Sequence, residues 1–333
     1  MTNPPRVGVV GAGSLGFHHI RILRDLPGIR FTGFAEIRDE HAAQVAAELG
    51  VKAHASLEDL LAVSDAVIIV VPTSAHFSVA SAAIERGKHV FIEKPITTTL
   101  EEADALLELA RKNGVIVQIG HIERFNRAVR AALPHVNRPR FIDSERLAPF
   151  SPRGSDVAVV LDLMIHDIDL LLTLVGSGAK DISAVGVPVL TPMLDIANAR
   201  VTFTSGAVAN ITSSRISRER KRKIRIFQQS GYLSLDLAAG TGDFFRLRSD
   251  IDPLAVRAAP ADMMAFVDRI KLDAPEGEPL KLELESFVSA LKGESPVVVT
   301  GDEGRLALGV ALRIVKEIEL TLPSLVGLAH HHA

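Results

Sequence analysis

Cysteine is absent from all 333 residues. That excludes a disulfide framework, a thiolate nucleophile and any cysteine-built metal site, and it is compatible with a reducing cytoplasm. An excess of either charge is missing too: 37 Lys and Arg stand against 40 Asp and Glu, for a formal charge of -3. Neither nucleic acid nor an acidic membrane has an electrostatic claim as main partner, so a small molecule is expected. Signal-peptide features are lacking as well, because Met1-Thr2-Asn3-Pro4-Pro5-Arg6 runs directly into an apolar strand; the expected location is cytoplasmic. The stretch from Ala158 to Val175 is long enough to span a bilayer, but it holds Asp162, His166, Asp167 and Asp169. A buried helix with a polar site fits it better than a membrane span. Repeats and low-complexity tracts are also missing, and the closing His330, His331 and His332 read as a tail without function.

What is present is an ordinary globular composition, 47% hydrophobic and 23% charged, on a chain longer than one usual domain. From Arg6 to Ile119, buried-strand runs (Arg6–Val10, Phe31–Ala35, Ala66–Val71, His89–Ile92, Val115–Ile119) alternate with alanine-rich amphipathic segments. This is the pattern of βαβ units and a parallel sheet. Asp39 is placed to cap a helix ending at Gly50, and Ser56-x-x-Asp59 and Thr99-x-x-Glu102 resemble capping boxes. After Gly120 the rhythm changes to a helix near Ile122–Val136, a strand, the polar-sited helix, and β-type runs from Ile182 to about Arg248. The expected fold is α/β: a Rossmann parallel sheet over residues 1–120, then an α+β domain over 121–333 with a largely antiparallel open sheet. Asp250–Glu278, with Pro253 and Pro260, reads as an irregular crossing before helices near Leu280–Leu291 and Asp302–Leu320.

Gly11-Ala12-Gly13-Ser14-Leu15-Gly16 follows the first strand and opens a helix, the context that a G-x-G-x-x-G dinucleotide fingerprint requires. The first glycine allows the turn, the second lets backbone approach a pyrophosphate, and the third lets helix and strand pack closely. Glu36 ends the second strand 20 residues beyond Gly16. A carboxylate there accepts from ribose hydroxyls and repels a 2′-phosphate, favouring NAD over NADP, while Arg38 is the nearby group that would meet such a phosphate.

Further along, Val71-Pro72-Thr73-Ser74-Ala75-His76 and Gly87-Lys88-His89-Val90-Phe91-Ile92-Glu93-Lys94-Pro95, with the glycine fingerprint and Asp162-Leu163-Met164-Ile165-His166, resemble the glucose-fructose oxidoreductase, inositol dehydrogenase and MocA family. The resemblance covers nearly the whole chain. It implies a cofactor site that includes Pro72, Thr73, His76, Glu93 and Lys94, with Lys94 beside nicotinamide and substrate and His166 reaching the reacting hydroxyl. Gly120-His121-Ile122-Glu123-Arg124-Phe125-Asn126 and Arg146-Leu147-Ala148-Pro149-Phe150-Ser151-Pro152-Arg153 are similar to bacterial UDP-N-acetylglucosamine 3-dehydrogenases that prepare a diamino sugar nucleotide for lipid A. Arg127 departs from the proline expected after Arg-Phe-Asn. The family likeness also implies a homodimer or homotetramer built on the open sheet, and a downstream aminotransferase that consumes the keto product.

Helical spacing places Asp162, His166 and Asp169 on one face. A carboxylate one turn before a histidine orients the ring and stabilises its protonated form, which suits a base that removes a hydroxyl proton. Lys94 is the second candidate for that proton, or a donor to the forming carbonyl oxygen, and Pro95 after it is a candidate for a cis bond. The same face offers three metal ligands, but hydride transfer to nicotinamide needs no metal and none is expected. His121, Arg124 and Asn126 are placed to reach the substrate, with helix capping as their bland alternative; Arg153 and Arg215 suit a diphosphate. The basic run Arg218–Arg225 reads as a solvated hairpin or sheet edge. The expected activity is NAD-dependent oxidation of a sugar hydroxyl, at C3 of the glucosamine in UDP-N-acetylglucosamine. A free sugar, inositol or other polyol is the alternative substrate, and a non-catalytic NAD-binding regulator is the alternative class.

Overall fold

A computed structural model describes residues 3–151, 154, 156–250 and 266–322. The chain forms two compact units, Met1–Ile122 with Glu278–Leu308, and Glu123–Gly277 with the chain from Gly309 onward. The sequence reading assigned everything after Gly120 to the second part. The difference is the return of residues 278–308 to the first.

The first unit holds a parallel sheet of β1 (Arg6–Val10), β2 (Arg30–Ala35), β3 (Ala53–His54), β4 (Ala66–Ile69), β5 (His89–Glu93) and β6 (Val117–Gly120), in the order β3-β2-β1-β4-β5-β6. The central strands are buried on both faces, so their sequences are continuous apolar runs rather than alternating ones. Two-residue β3 is too short to leave a periodic signal, and the sequence reading missed it. Helices α1 (Ser14–Asp25), α2 (Asp39–Leu49), α3 (Leu57–Val63), α4 (His76–Glu85) and α5 (Leu100–Asn113) connect the strands. Ser56 Oγ accepts from Asp59 N, and Thr99 and Glu102 complete a reciprocal capping box. Asp39 is corrected: the N-cap residue is Arg38, without a side-chain cap bond, and Asp39 opens the helix instead. The core gathers Val9, Ile20, Phe34, Ile68 and Phe91 with Leu284 and Phe287 of α8 (Pro279–Leu291). Val299 O accepts from Ile119 N at 3.0 Å on the open side of β6. These contacts are why residues 278–308 belong here.

The second unit is built on eight strands: β7 (Phe141–Leu147), β8 (Ala179–Val187), β9 (Ile196–Phe203), β10 (Val208–Ser214), β11 (Lys221–Gln228), β12 (Gly231–Asp236), β13 (Thr241–Leu247) and β14 (Val267–Leu272). Their order is β14-β13-β12-β11-β7-β10-β9-β8, antiparallel except for the β7–β10 pair. Strand β14 corrects the reading of Asp250–Glu278 as wholly irregular; Pro253 and Pro260 lie outside the described residues. Strand β11 is interior, between β12 and β7, so its basic run is not a sheet edge. Alternation puts Ile142, Ile211, Ile224 and Leu233 inward. The other face carries Phe141, Phe227, Tyr232 and Phe245 in adjacent register across four strands, with ring centroids 5.6, 5.5 and 4.7 Å apart in turn.

The helix expected near Ile122–Val136 is three pieces: a 3-10 turn at Ile122–Phe125, α6 (Arg127–Ala132) and a second 3-10 turn at Leu133–His135. Asn126 breaks it by capping, its Oδ1 accepting from Ala128 N at 3.0 Å. The polar-sited segment begins as a π-helical turn, Val160–Met164, and continues as α7 (Ile165–Val175), ended by left-handed Gly176. The last helix, α9 (Gly301–Thr321), runs through both units. Among the described residues, no helix is long and apolar enough to cross a membrane.

Candidate functional site

In the first unit, every candidate residue sits at the carboxyl end of a parallel strand, where open α/β sheets bind ligands. Gly11, at φ 92°, occupies the turn after β1, and a Cβ there would lie 2.4 Å from Val70 O. At Gly16 a Cβ would come within 2.1 Å of Gly11 O, so the third glycine is required by close packing of helix on strand. At Gly13, by contrast, a Cβ would meet nothing within 4 Å. The middle glycine therefore leaves free space over the start of α1, beside exposed Ser14 and Leu15. That is the approach a pyrophosphate needs at a helix N-terminus.

Glu36 follows β2 with its side chain only 6% exposed. It accepts from Ala12 N at 3.0 Å and from Arg38 Nε at 3.0 Å. Burial works against its charge, but these donors outweigh burial and hold the carboxyl below its ordinary range. The result is a fixed anion beside the glycine loop, with Arg38 largely exposed around it. This chemistry fits the ribose of NAD. After β4, Pro72 is exposed and Thr73 half-buried in a 3-10 turn that leads into α4.

His76 is corrected as a cofactor contact. It is 1% exposed, and its ring nitrogens lie 2.8 Å from Pro95 O and 3.0 Å from Val71 O. Burial lowers the imidazole from its ordinary value, against the backbone carbonyls that favour its charged form. The Lys94–Pro95 bond is cis, and Lys94 is partly buried. Glu93 Oε1 accepts from Nε2 of His19, and its Oε2 from Lys94 N at 3.3 Å. Burial opposes the charge on Glu93, but the bond from His19 and the charge of Lys94 outweigh it and keep the carboxyl low. His121, after β6, is 1% exposed and donates its backbone N–H to Ile119 O.

In the second unit, Asp162 and His166 are both half-buried, whereas Asp167 and Asp169 are buried. The expectation that Asp169 works with His166 is corrected: its carboxylate receives Arg124 Nε at 2.8 Å and Nη2 at 2.7 Å, a bidentate buried pair. Arg124 is accordingly an anchor for α7 on the 3-10 turn. Asn126, 8% exposed, donates Nδ2 to Glu123 Oε2 at 3.0 Å and to Leu237 O at 2.9 Å. Its bland reading as a cap is the one the geometry supports. Arg146 reaches Asp167 Oδ2 at 2.7 Å and Glu123 Oε1 at 2.8 Å. Burial opposes its charge, but the two carboxylates prevail and raise it above its ordinary value.

Arg215 is corrected in the same way. It is 4% exposed, and its Nη1 and Nη2 donate to the carbonyls of Gly154 and Val157, so the fork holds backbone rather than awaiting phosphate. A Cβ on Gly154 would lie 2.9 Å from Asp162 Oδ2, so Arg215 shapes the loop beside Asp162. Arg153 lies outside the described residues.

The sequence gives no role to His19, Glu123, Arg146, Asp167 or Asp195. Two of them left a signal: Arg146 is a charge at an inward position of an alternating strand, and His19 sits among the buried apolar positions of α1. Asp195 left none. Its carboxylate accepts from the N–H groups of Val189, Leu190 and Thr191 at 2.8, 2.6 and 2.9 Å, a turn that only the folded loop creates.

Comparison with known proteins gives the family and the fold. Residues 5–121 match the oxidoreductase family with NAD-binding Rossmann fold, GFO/IDH/MocA, and residues 118–234 match the GFO/IDH/MocA C-terminal domain. UDP-N-acetylglucosamine 3-dehydrogenase of Acidithiobacillus ferrooxidans is 40% identical over 95% of this chain and 98% of its own. A solved structure of that enzyme superposes with TM-score 0.86 at 38% identity, over 96% of this chain and 99% of the other. A scyllo-inositol 2-dehydrogenase (NAD(+)) of Bacillus subtilis is 31% identical over 65% of this chain and 69% of its own. The WlbA dehydrogenase from Bordetella pertussis, solved with NADH and UDP-GlcNAcA, shares the fold at 18% identity and TM-score 0.80, over 96% of each chain. The glycine loop, the Glu36 anion and the full-length likeness to a 40% identical enzyme converge on one assignment: the chain belongs to the GFO/IDH/MocA family of NAD-binding oxidoreductases.

Proposed function

We propose that this protein oxidises the C3 hydroxyl of the glucosamine in UDP-N-acetylglucosamine to a ketone, with NAD as hydride acceptor. The observation that carries this reading is the 40% identity to a UDP-N-acetylglucosamine 3-dehydrogenase across 95% of the chain. The glycine loop, with its open space at Gly13, is assigned to the pyrophosphate, and Glu36 to the adenosine ribose. NAD supplies the acceptor for the C3 hydride, which leaves as the hydroxyl proton is taken up and the C=O bond forms. His166 is assigned to that proton, with Asp162 orienting the ring, and Lys94 either shares the proton or donates to the forming carbonyl oxygen. His121 is kept as a substrate contact.

The 31% identity to an inositol dehydrogenase favours a second reading, a free sugar or polyol as substrate. The products of the proposed reaction are a 3-keto sugar nucleotide and NADH. An aminotransferase consuming the ketone would draw the oxidation forward, and the cytoplasm is the proposed location. Self-association as a dimer or tetramer is proposed through the outer face of the second sheet, where the aromatic row runs.

The deciding experiment is NADH formation by the purified protein with NAD and UDP-N-acetylglucosamine, a glutamate-dependent sugar aminotransferase being present to remove product. The same assay is run with free sugars and inositols. Turnover with the UDP-sugar alone supports the proposal. Turnover with a free sugar or inositol alone replaces it with the second reading, and silence from all despite NAD binding points to a regulator.

A further inference from the structure

Two buried histidines hold the turn that carries Lys94, and neither has a place in the reaction described above. His19, on α1, is 0% exposed, and its Nε2 donates to Glu93 Oε1 at 2.8 Å. The second oxygen of Glu93 accepts the backbone N–H of Lys94. His76, on α4, has Nδ1 at 2.8 Å from Pro95 O. Residues 93, 94 and 95 are therefore each tied, directly or through a carboxylate, to a histidine of one of two helices.

Packing alone does not explain this. An apolar residue at either position would fill the same space without the cost of burying a ring nitrogen. The surroundings are also cut to fit. A Cβ on Gly120 would stand 2.9 Å from Glu93 Oε2, so the glycine makes room for the carboxylate. The edge of Phe91 meets the His19 ring at 5.8 Å and limits its orientation. Helix α1 begins at the glycine loop, so His19 links the pyrophosphate end of the unit to the Lys94 turn.

We propose that His19 and His76 are positioning residues that clamp the Glu93-Lys94-Pro95 turn and so fix Lys94 relative to the helix that receives the cofactor. The inference rests on the reading above that Lys94 touches the reacting atoms. The groups facing Glu93 are His19 of α1, His76 of α4 and Lys94 of its own turn. Losing the bond from His19 leaves burial less opposed, so the carboxyl rises toward its ordinary range.

The test compares His19→Leu, which removes the donor, with His19→Gln, whose amide replaces it. Three quantities are measured: the pH profile of kcat/KM, NADH affinity by cofactor fluorescence, and the acetylation rate of Lys94 by mass spectrometry. The expected result for His19→Leu is a loss of kcat of roughly 30-fold or more with NADH affinity within about threefold, because a misplaced group costs turnover before binding. Its acid limb moves to higher pH, Lys94 is acetylated faster, and His19→Gln restores most of the activity. The clamp is overturned if His19→Leu keeps wild-type turnover and Lys94 labelling, or if His19→Gln behaves no better than His19→Leu. It is equally overturned if NADH affinity falls as far as turnover, the mark of a packing role. Acetylation needs no substrate, so it judges the clamp even if Lys94→Ala retains turnover and the site reading fails.

Discussion

At the residue scale, the most consequential side chains are those whose surroundings fix their charge. Glu36 is held ionised by Ala12 N and Arg38 beside an open glycine loop. Glu36→Ala should weaken NAD binding by roughly tenfold or more and narrow the preference for NAD over NADP, because the change removes both the ribose acceptor and the anion that repels a 2′-phosphate. Titrations with both cofactors read this directly, and unchanged discrimination would remove Glu36 from the cofactor site. Gly16→Ala should abolish NAD binding, since the new methyl would lie 2.1 Å from Gly11 O, whereas Gly13→Ala should leave the unliganded fold intact and oppose only the cofactor. His166→Ala should eliminate turnover with NAD affinity nearly unchanged; an active variant would exclude His166 as the base. These residues were legible because a spacing or a motif marks each of them. His19 is marked in the sequence only as a polar residue among apolar positions of α1, and its role emerges only when Glu93 of a distant strand arrives beside it.

The next scale is the element, and there α7 shows how a helix is set in place. Asp167 and Asp169, both buried and both just after half-buried His166, are gripped by Arg146 from β7 and by Arg124 from the 3-10 turn at Ile122–Phe125. Two forked pairs on one helix oppose its rotation. Arg146→Met should cost about 3–5 kcal/mol of stability, because it leaves Asp167 and Glu123 buried without their cation. Chemical denaturation measures it, and a cost under 1 kcal/mol, the exposed-pair range, would refute the network's role. Asp195 works on a loop instead. Its carboxyl is lowered, with burial opposing and the N–H donors of residues 189–191 prevailing. A depressed folded value contributes stability above the ordinary aspartate range that is lost as pH falls through the folded value. Asp195→Asn should therefore flatten the acid side of the stability curve and lower stability by about 1–3 kcal/mol near neutrality. The caps at Ser56 and Thr99 and the strand cores of the parallel sheet were readable in advance, since the signals are local. The break at Asn126 and the π turn at Val160–Met164 were not, because helical periodicity survives a small change of register.

For the whole molecule, the open face of the second sheet is where a test of assembly belongs. The aromatic row ends at Arg269, whose guanidinium lies 5.9 Å from the Phe245 centroid. If that face joins copies of the chain, Tyr232→Glu should shift the protein toward monomer in sedimentation velocity without loss of NADH binding. An unchanged sedimentation coefficient would place any interface elsewhere. The division into units was only partly readable. Composition changes after Gly120, but nothing local tells that Leu284 and Phe287 complete the core of a sheet that ended more than 150 residues earlier. By itself the sequence determined the parallel sheet, the cofactor loop, Glu36 as its anion and the family, because each rests on contacts between residues close in the chain or on motifs with fixed spacing. The tertiary structure decided which charged and polar residues are spoken for. Arg124, Arg215, Asn126 and Asp169 all looked available to a ligand, and folding gave each a partner within the protein, since a buried charge is tolerable only when paired and a buried amide only when hydrogen-bonded.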